Sequence, residues 1–260
     1  MNYREIIVHR LRDLDSVFRA KNKLDIMFYV FLRQFYKLFH LNEEKLSNLL
    51  KRDGSSELFG KIFYTRKKTL DFLFISKYYE PETTKEILRG KGRVFIDVGA
   101  HIGRFALIAS DFYEKVYAIE PHPSNFESLK KNIQKNNAKN VVGLNYAISD
   151  NEKNVFFEGV EMNTGAAKIG KKGKLQTKAY PLSKIISAEE IDIDKIDLIL
   201  IDVEGHELEV LEGAKEILEK GKAKIIIESF SREKITNFLS GYGYKKKKIL
   251  DFYNHLFEKG

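Results

Sequence analysis

The stretch VFIDVGAHIGRFALIAS at residues 94–110, followed by KVYAIEP at residues 115–121, decides the fold of this chain. Its first apolar run, at residues 94–98, is typical of a parallel strand that is buried on both faces. Gly99 and Gly103 lie where that strand should pass into a helix, and a second strand ends at Glu120. The order of strand, glycine-rich turn, helix, strand and acid predicts a doubly wound α/β sheet, with a ligand at the carboxyl ends of its strands.

The acids in this stretch indicate which ligand the turn binds. A dinucleotide site has the pattern G-x-G-x-x-G, whereas here Asp97 precedes the first glycine and His101 takes the place of the second. A carboxylate is unfavourable beside a pyrophosphate but favourable beside an ammonium group. Glu120 suits the two hydroxyls of a ribose. A ligand with an amino-acid end and a ribose end is S-adenosylmethionine, so the stretch predicts a methyltransferase.

Other residues near the strand ends extend the predicted cofactor site. Residues around Ala147 follow the third strand and could flank an adenine, although an ordinary turn at Ser149 and Asp150 explains them as well. The candidates for cofactor contact are Asp97, Gly99, Ala100, His101, Gly103, Glu120, Pro121, Asn125, Ala147 and Asp202.

Four polar residues follow the next two predicted strands, DLILI at 197–201 and III at 225–227. Asp202, Glu204 or His206 could act as the base that takes a proton from an attacking hydroxyl. Alternatively, Asp202 and Glu228 could bind a divalent ion such as Mg²⁺, which lowers the pKa of a coordinated hydroxyl. Glu204 and His206 also have a simpler interpretation, in which they cap the turn and the start of the next helix.

The acceptor is expected to bind at the same edge of the sheet. Residues 151–182 interrupt the alternation of strands and helices, and two short strands there predict an excursion over the site. The candidates for acceptor contact are Tyr79, Glu80, Asn163 and Thr164. The lysines at 168, 171, 172 and 174 could hold an anionic acceptor, but a solvated loop explains them better.

Composition limits the classes of chemistry. The chain has 260 residues, no cysteine and a net charge of +8. The lack of cysteine excludes disulfides, a thiolate nucleophile and a thiolate metal site. Nothing at the start resembles a cleavable signal peptide, so a cytoplasmic protein is expected, with peripheral contact at the inner face of the membrane as an alternative. The basic charge favours nucleic acid or anionic membranes as partners, although solubility alone explains it.

The first part of the chain predicts helices. Residues 1–75 are expected to form a helical N-terminal extension for acceptor recognition or oligomerisation, and residues 76–260 the methyltransferase domain. The most apolar segment, residues 24–41, is uninterrupted only at 26–32, far short of the ~20 residues that cross a bilayer. It is interpreted as a helix that packs on the core or on a partner subunit of a homo-oligomer, with a membrane-surface helix as the alternative.

Shorter patterns complete the expected order of elements. Residues 54–56 predict a break and residues 58–65 a short strand or hairpin. Helices are expected at 70–79 and 82–88 and, as one continuous element, at 208–218, while residues 141–146 predict the third strand. Residues 245–250 and 255–258 are expected to form a final antiparallel hairpin.

These motifs resemble the FkbM family of S-adenosylmethionine-dependent methyltransferases. The resemblance covers residues 78–229 and rests on DVGAHIG at 97–103, Glu120-Pro121, AISD at 147–150 and, above all, IDVEGHELEVLEGA at 201–214. It implies a class I methyltransferase fold, an α/β architecture with a doubly wound, mostly parallel seven-stranded Rossmann-like sheet. Family members typically carry asparagine at the position of His101. The resemblance also implies O-methylation, commonly of sugar or polyketide-type hydroxyls, with Asp97, Gly99, Gly103 and Glu120 around the cofactor.

Two other functions compete with the methylation of a glycan or another small molecule. An RNA methyltransferase would use the basic surface, but enzymes that methylate base nitrogens commonly carry an N/D-P-P-Y/F-like motif where this chain has DVEG at 202–205. Nucleic acid is therefore not the expected partner. A membrane-associated scaffold would use residues 24–41 and a degenerate cofactor site. The intact acids and glycines of the first turn disfavour that interpretation.

Overall fold

A computed structural model describes residues 3–21, 23–35, 47–158, 168–170, 173 and 175–260. Its helices are α1 (Tyr3–Arg19), α2 (Lys23–Phe35), α3 (Asp71–Phe74), α4 (Pro81–Arg89), α5 (Arg104–Ala109), α6 (Pro123–Lys135), α7 (Leu182–Ala188), α8 (Glu207–Glu212), α9 (Lys215–Lys220) and α10 (Arg232–Ser240). Its strands are β1 (Gly54–Leu58), β2 (Lys61–Thr65), β3 (Gly92–Val98), β4 (Tyr113–Ile119), β5 (Val141–Leu144), β6 (Ala147–Ile148), β7 (Lys153–Glu158), β8 (Lys168–Gly170), β9 (Leu175–Tyr180), β10 (Ile196–Ile201), β11 (Lys224–Glu228), β12 (Tyr244–Ile249) and β13 (Asn254–Lys259).

The central sheet has seven strands in the order β12-β13-β11-β10-β3-β4-β5. All neighbouring pairs from β11 to β5 are parallel, and β13 runs antiparallel to both β11 and β12. The chain order reverses at β3, which lies between β10 and β4, and such a switch point is where a doubly wound sheet binds its ligand. The predicted mostly parallel seven-stranded fold is confirmed, and so is the final hairpin.

Both faces of the sheet are covered, which explains the continuous apolar runs in its strands. On β3, Val94, Ile96 and Val98 face one core cluster, while Phe95 faces the other. The first cluster is closed by α7, α8, α9 and α10, and the second by α4, α5 and α6. The strand ends are therefore held by packing on two sides.

A smaller sheet, in the order β6-β9-β7-β8, follows β5 in the chain. The predicted excursion of two strands corresponds to β7 and β9, which pair antiparallel with each other. At the margins, β8 pairs antiparallel with β7 and β6 pairs parallel with β9. The predicted strand at 141–146 is shorter than expected and ends at Leu144. The Asn145 side-chain amide explains this, since it donates hydrogen bonds to the carbonyls of Glu120 and Pro121 at 2.8 and 3.2 Å and turns the chain into β6.

The helix predicted at residues 208–218 is divided into α8 and α9. The division falls at Gly213, whose carbonyl accepts a hydrogen bond from the Ser183 amide at 3.1 Å. A Cβ at Gly213 would lie 2.1 Å from the Ser149 carbonyl oxygen. The prediction of one continuous helix was wrong because this long-range contact turns the chain there.

The N-terminal region consists of α1 and α2 followed by the hairpin of β1 and β2. Residues 54–56 belong to β1, so the predicted break was wrong there. Residues 70–79 are helical only over α3, because the carbonyls of Ser76 and Tyr79 bond to the side chain of Arg104 and cannot continue a helix. Among the described helices, none is long and apolar enough to cross a membrane.

Candidate active site

An open cleft of about 1000 Å³ lies at the carboxyl ends of β3, β4 and β10. Its wall combines the glycine-rich turn after β3, the acid after β4 and the DVEG turn after β10. The residues that line it are Phe74, Tyr79, Val98, Gly99, Ala100, His101, Arg104, Phe105, Ile119, Glu120, Pro121, His122, Asn125, Tyr146, Ile148, Phe157, Asp202, Val203 and Glu204.

The turn after β3 is fixed by two glycines with positive φ, +93° at Gly99 and +88° at Gly103. A Cβ at Gly99 would lie 1.7 Å from the Asp202 carbonyl oxygen, and one at Gly103 would lie 2.5 Å from Leu129 Cδ1. The amides of Gly99 and Ala100 both donate to the Ile119 carbonyl, at 2.9 and 3.0 Å. Only glycine allows this close approach of the turn to its neighbours.

Asp97 is buried near the end of β3 and lies behind the residues that line the cleft. Its carboxylate accepts a hydrogen bond from the Ala106 amide, but its Oδ2 is buried without a partner among the described residues. Burial, with a smaller contribution from the charge of nearby Glu120, raises the pKa of Asp97 to about 7. An acid in this state is stabilised by a cation, so the residue fits the ammonium group of a ligand.

Glu120 is held by donors from its own turn and from the turn after β3. Its Oε2 accepts the His101 amide at 2.7 Å, and its Oε1 accepts the His122 amide at 2.8 Å and the Asn125 side-chain amide at 3.2 Å. Burial raises the pKa of Glu120 to about 7, and these hydrogen bonds oppose the rise. The carboxylate is therefore placed before any ligand binds.

Arg66 supports this arrangement from the end of the β1–β2 hairpin. Its guanidinium forms a bidentate ion pair with Asp71, at 2.7 Å for both N···O distances, and donates to Asn125 Oδ1 at 3.0 Å. Asn125 in turn donates to Glu120. Nothing in the sequence pattern around Arg66 indicates this role, because the contact joins residues that are far apart in the chain.

Three carboxylates meet at the other end of the cleft. Oxygen atoms of Glu80, Asp202 and Glu228 lie within 4.8 Å of one another. Asp202 and Glu228 hydrogen bond to each other, and burial together with the neighbouring acids raises the pKa of Asp202 well above its usual range. Burial, with the charge of Glu228, raises the pKa of Glu80 to about 8. The predicted pair Asp202 and Glu228 is thus joined by Glu80, which we expected only as an acceptor contact.

Arg104 brings a buried positive charge to the same region. Its Nη2 donates to the carbonyls of Ser76 and Tyr79 at 3.3 and 2.8 Å and to Thr84 Oγ1 at 3.0 Å. Its Nε and Nη1 are buried without partners among the described residues. Burial lowers the pKa of Arg104 to about 10, and the charge of Glu80 opposes this. An arginine inside the otherwise apolar run RFALIA is the signal that could have identified it.

Three of the seven described non-glycine residues with positive φ lie around the cleft. Glu80, His101 and Glu204 have φ values of 42°, 51° and 51°. Non-glycine residues adopt this left-handed region at a cost, and such residues cluster at binding and catalytic sites. All three lie at the carboxylate cluster or in the lining of the cleft.

Some predicted site residues lie away from the cleft lining. His206 Nε2 lies 2.9 Å from Ser149 Oγ and its Nδ1 3.6 Å from Glu209 Oε2, on the side of the DVEG turn that faces β6. Ala147 packs with Val155 and Ala179, while its neighbours Tyr146 and Ile148 line the cleft. Gly103 lies behind the lining. Asn163 and Thr164 lie outside the described residues.

Two exposed aromatic rings flank the carboxylate cluster. Phe230 is 66% exposed and Tyr253 is 40% exposed, and their ring centroids lie 4.4 Å apart. Phe230 follows Glu228 by two residues, and the Ser229 amide donates to the Tyr253 carbonyl at 3.1 Å. The pair forms an apolar surface directly beyond the end of β11.

Comparison with known proteins identifies a family model and curated relatives that this chain resembles. The model of the methyltransferase FkbM domain matches residues 97–246. The hexuronic acid methyltransferase AglP of Haloferax volcanii is 32% identical over 127 residues, which are 48% of this chain and 52% of that protein. Methyltransferase sdnD of Sordaria araneosa is 29% identical, over 46% of this chain and 60% of its own length. The chain thus spans little more than half the length of these curated relatives.

One solved structure of similar description is a methyltransferase FkbM from Methylobacillus flagellatus. It is 19% identical, has a TM-score of 0.46, and the match covers 65% of this chain and 44% of that one.

Proposed function

The chain belongs to the FkbM methyltransferase family, and from this premise we propose that it transfers the methyl group of S-adenosylmethionine to a hydroxyl of a sugar or glycan. The observation that carries the proposal is that Asp97, with one unpartnered carboxylate oxygen, lies behind the lining of a cleft whose wall also includes Asp202, a member of a cluster of three carboxylates. The first suits a cationic methyl donor, and the second suits a hydroxyl nucleophile.

On the donor side, Asp97 would pair with the ammonium group and Glu120 with the ribose hydroxyls. Support comes from the unpartnered Oδ2 of Asp97 and from the fixed position of Glu120. Gly99 and Gly103 let the ligand approach the backbone. Tyr146 and Ile148, which line the cleft on either side of Ala147, would flank the adenine.

On the acceptor side, Asp202 would act as the base and Glu228 would hold its position. The acceptor oxygen attacks the methyl carbon, the carbon–sulfur bond breaks with its electron pair on sulfur, and the hydroxyl proton passes to the carboxylate pair. A carboxylate with a raised pKa is a stronger base once it is ionised. The raised pKa of Asp202 and its hydrogen bond to Glu228 support this assignment. Glu204, also in the lining, remains a second candidate base.

A divalent ion such as Mg²⁺ is a further proposal for the same carboxylates. Glu80, Asp202 and Glu228 offer oxygen ligands of the kind that hard cations prefer. A bound ion would lower the pKa of a coordinated acceptor hydroxyl. Turnover measured with magnesium and then with excess chelator separates the two arrangements, since a base mechanism without the ion predicts equal rates.

The acceptor would lie over the carboxylates, against the exposed rings of Phe230 and Tyr253. Aromatic rings pack on the apolar faces of sugar rings, and these two are exposed beside Glu228. Tyr79, which lines the cleft next to Glu80, would contact the acceptor from the opposite side. We also propose that residues 1–75 form an N-terminal extension and that residues 76–260 form the methyltransferase domain.

The test is methyl transfer from labelled S-adenosylmethionine to a panel of hexuronic acids, neutral hexoses and their glycosides. Hexuronic acids come first because the relative AglP is described as a hexuronic acid methyltransferase. Label in a sugar methyl ether, seen by mass spectrometry, is the expected result. Binding of S-adenosylmethionine without transfer to any sugar would remove the acceptor class alone, whereas absence of binding would overturn the donor as well.

A further inference from the structure

The first helix, α1, buries polar side chains and exposes apolar ones. Asp13 and Ser16 are buried, whereas the exposed positions carry Ile7, Leu11, Leu14 and Phe18 at intervals of four, three and four residues. These four form one stripe along α1. A helix that packs on a soluble domain normally buries its apolar stripe and exposes the opposite face. Here the polar face holds the helix to the protein, and the apolar stripe faces outward.

The second helix is apolar on both sides. Ile26, Tyr29 and Val30 are buried in a core cluster with Phe72 and Leu73. The residues that point outward are equally apolar, with exposures from 51% at Met27 to 70% at Leu24, and they are Leu24, Met27, Phe28 and Phe31. The two helices are consecutive and contact each other. Together they present eight exposed apolar side chains, a surface of the kind that marks an interaction site.

The exposed charged side chains described on α1, on α2 and between them are basic. Among the described side chains between residues 7 and 32, the exposed ones are these eight apolar residues together with Arg10, Lys21 and Lys23. Acidic side chains described in the same range, Asp13 and Asp15, lie on the inward side, and Asp13 is buried. Lys21 and Lys23 also line a groove with Arg52, beside the exposed Leu24, and these three cations outnumber the one acid in its lining, Asp53.

We propose that α1 and α2 dock on an anionic membrane surface. Their apolar stripes would enter the boundary between headgroups and acyl chains, and Arg10, Lys21 and Lys23 would contact lipid phosphates. Apolar and basic residues on one outward face are the properties that bind helices to the plane of such an interface. A two-fold contact between copies of this chain would place identical basic residues at one interface, which like-charge repulsion disfavours.

The docking surface is joined to the cleft by hydrogen bonds. Asp15, on the inner face of α1, accepts the Ser76 hydroxyl and the Lys77 amide, both at 2.9 Å. The Ser76 carbonyl in turn accepts from Arg104 in the cleft wall. A membrane-bound α1 would therefore hold the cleft at a fixed height above the lipid, which suits an acceptor presented at that surface.

The test is sedimentation of the full chain with phosphatidylcholine vesicles, with and without phosphatidylglycerol. Leu14→Glu and Phe28→Glu place acids on the docking surface at positions that are 54% and 52% exposed. Ile249→Glu on the edge strand β12 is the matched control, since Ile249 is 52% exposed and isomeric with leucine. Because all three side chains are already exposed, each variant should keep the wild-type melting temperature.

We expect binding to the anionic vesicles only, loss of binding in Leu14→Glu and Phe28→Glu, and wild-type binding in Ile249→Glu. The double variant Lys21→Gln and Lys23→Gln should bind about 30-fold more weakly, roughly fivefold for each lysine near an anionic surface. Equal binding of all variants would overturn the proposal. A wild-type protein that does not bind vesicles would also overturn the proposal. This holds whether light scattering shows a dimer that Leu14→Glu dissociates or a monomer in every variant.

Discussion

The two ends of the cleft hold their acids in opposite ways. At the donor end, Glu120 accepts three N–H donors, two of them from backbone amides. At the acceptor end, Asp202 and Glu228 bond to each other and Glu80 lies within 4.8 Å of both, and burial with the charge of Glu228 raises the pKa of Asp202 and of Glu80. Glu120 is therefore fixed before a ligand binds, whereas Asp97, with its unpartnered Oδ2, and the carboxylates of the acceptor end are stabilised when a cation, a proton or a substrate hydroxyl arrives.

This difference separates binding from chemistry. Groups that are fixed by backbone amides select and orient a ligand without changing their state. Acids that lie close together have raised pKa values, so an ionised member of the group is a stronger base than an isolated carboxylate. We therefore expect substitutions at the donor end to change affinity, and substitutions at the acceptor end to change the rate.

The largest effect is expected at the acceptor end. Asp202→Asn should lower turnover by about 10²–10⁴-fold, the usual contribution of a general base, and leave the affinity for S-adenosylmethionine within about twofold of wild type. Steady-state rates and calorimetric titration measure the two quantities. Asp194→Asn, at an exposed aspartate before the opposite end of β10, is the control. Wild-type turnover in Asp202→Asn would remove Asp202 from the chemistry.

At the donor end, Glu120→Ala should weaken the binding of S-adenosylmethionine by about 1–3 kcal/mol, since charge-assisted hydrogen bonds are lost. Calorimetric titration of both proteins gives the difference. Glu114→Ala changes an exposed glutamate on the same strand, β4, and should bind normally. An unchanged affinity in Glu120→Ala would exclude Glu120 from the binding site.

The affinity for S-adenosylmethionine should also depend on pH. Burial raises the pKa of Asp97 from 3.8 to about 7, so below pH 7 the acid is mostly neutral and pairs poorly with an ammonium group. Binding should weaken by about tenfold from pH 8 to pH 6. Asp97→Asn should bind weakly at both pH values and show a smaller dependence, the remainder coming from Glu120, whose pKa burial also raises to about 7. A wild-type affinity that is constant over this range would contradict the assignment.

The same raised pKa makes a prediction about stability without ligand. Between pH 4 and pH 7, the folded protein binds the Asp97 proton more tightly than the unfolded chain does. The free energy of unfolding should therefore fall as the pH rises through this range, and addition of S-adenosylmethionine should reduce the fall. Urea titrations at several pH values measure it, and Asp97→Asn should lack this component.

The smallest effect is expected where the N-terminal hairpin supports the donor end. Arg66→Lys would lose the bidentate pair with Asp71 and the bond to Asn125, because a lysine ammonium cannot reproduce the guanidinium geometry. We expect the affinity for S-adenosylmethionine to fall about two- to fivefold, with turnover at saturation unchanged. Arg89→Lys, at an exposed arginine, should match wild type. A loss of turnover equal to that of Asp202→Asn would contradict a supporting role.

The central sheet could be predicted from the sequence because each of its strands is marked by a local pattern of residues. Each buried strand is a short apolar run, and an acid at the carboxyl end of the sheet follows such a run, as Asp202 follows the strand IDLILI at 196–201. The chain turns that were missed depend on distant partners. The end of β5 depends on Asn145 bonding to the turn after β4, and the division of α8 from α9 depends on Gly213 meeting Ser149 and Ser183.

The candidate site shows the same division. Residues within one motif, such as Gly99 and Glu120, were identified from spacing alone. The position of Glu80 beside Asp202 and Glu228 joins residues more than a hundred positions apart, and no periodicity reports it. His206 lies two residues after Glu204, yet its ring is turned to Ser149 on the other side of the loop. The roles of these residues remain predictions.

The contact between Gly99 and the Asp202 carbonyl has a mechanical consequence. Asp202 donates its amide to the Val98 carbonyl at 2.9 Å, and its own carbonyl occupies the place of the missing Cβ at Gly99. The turn after β3 and the turn after β10 are therefore in direct contact, with no space between them. A shift of the first turn on binding of the proposed methyl donor would be transmitted to the Asp202 backbone, so the alignment of the proposed base would depend on whether the donor is bound.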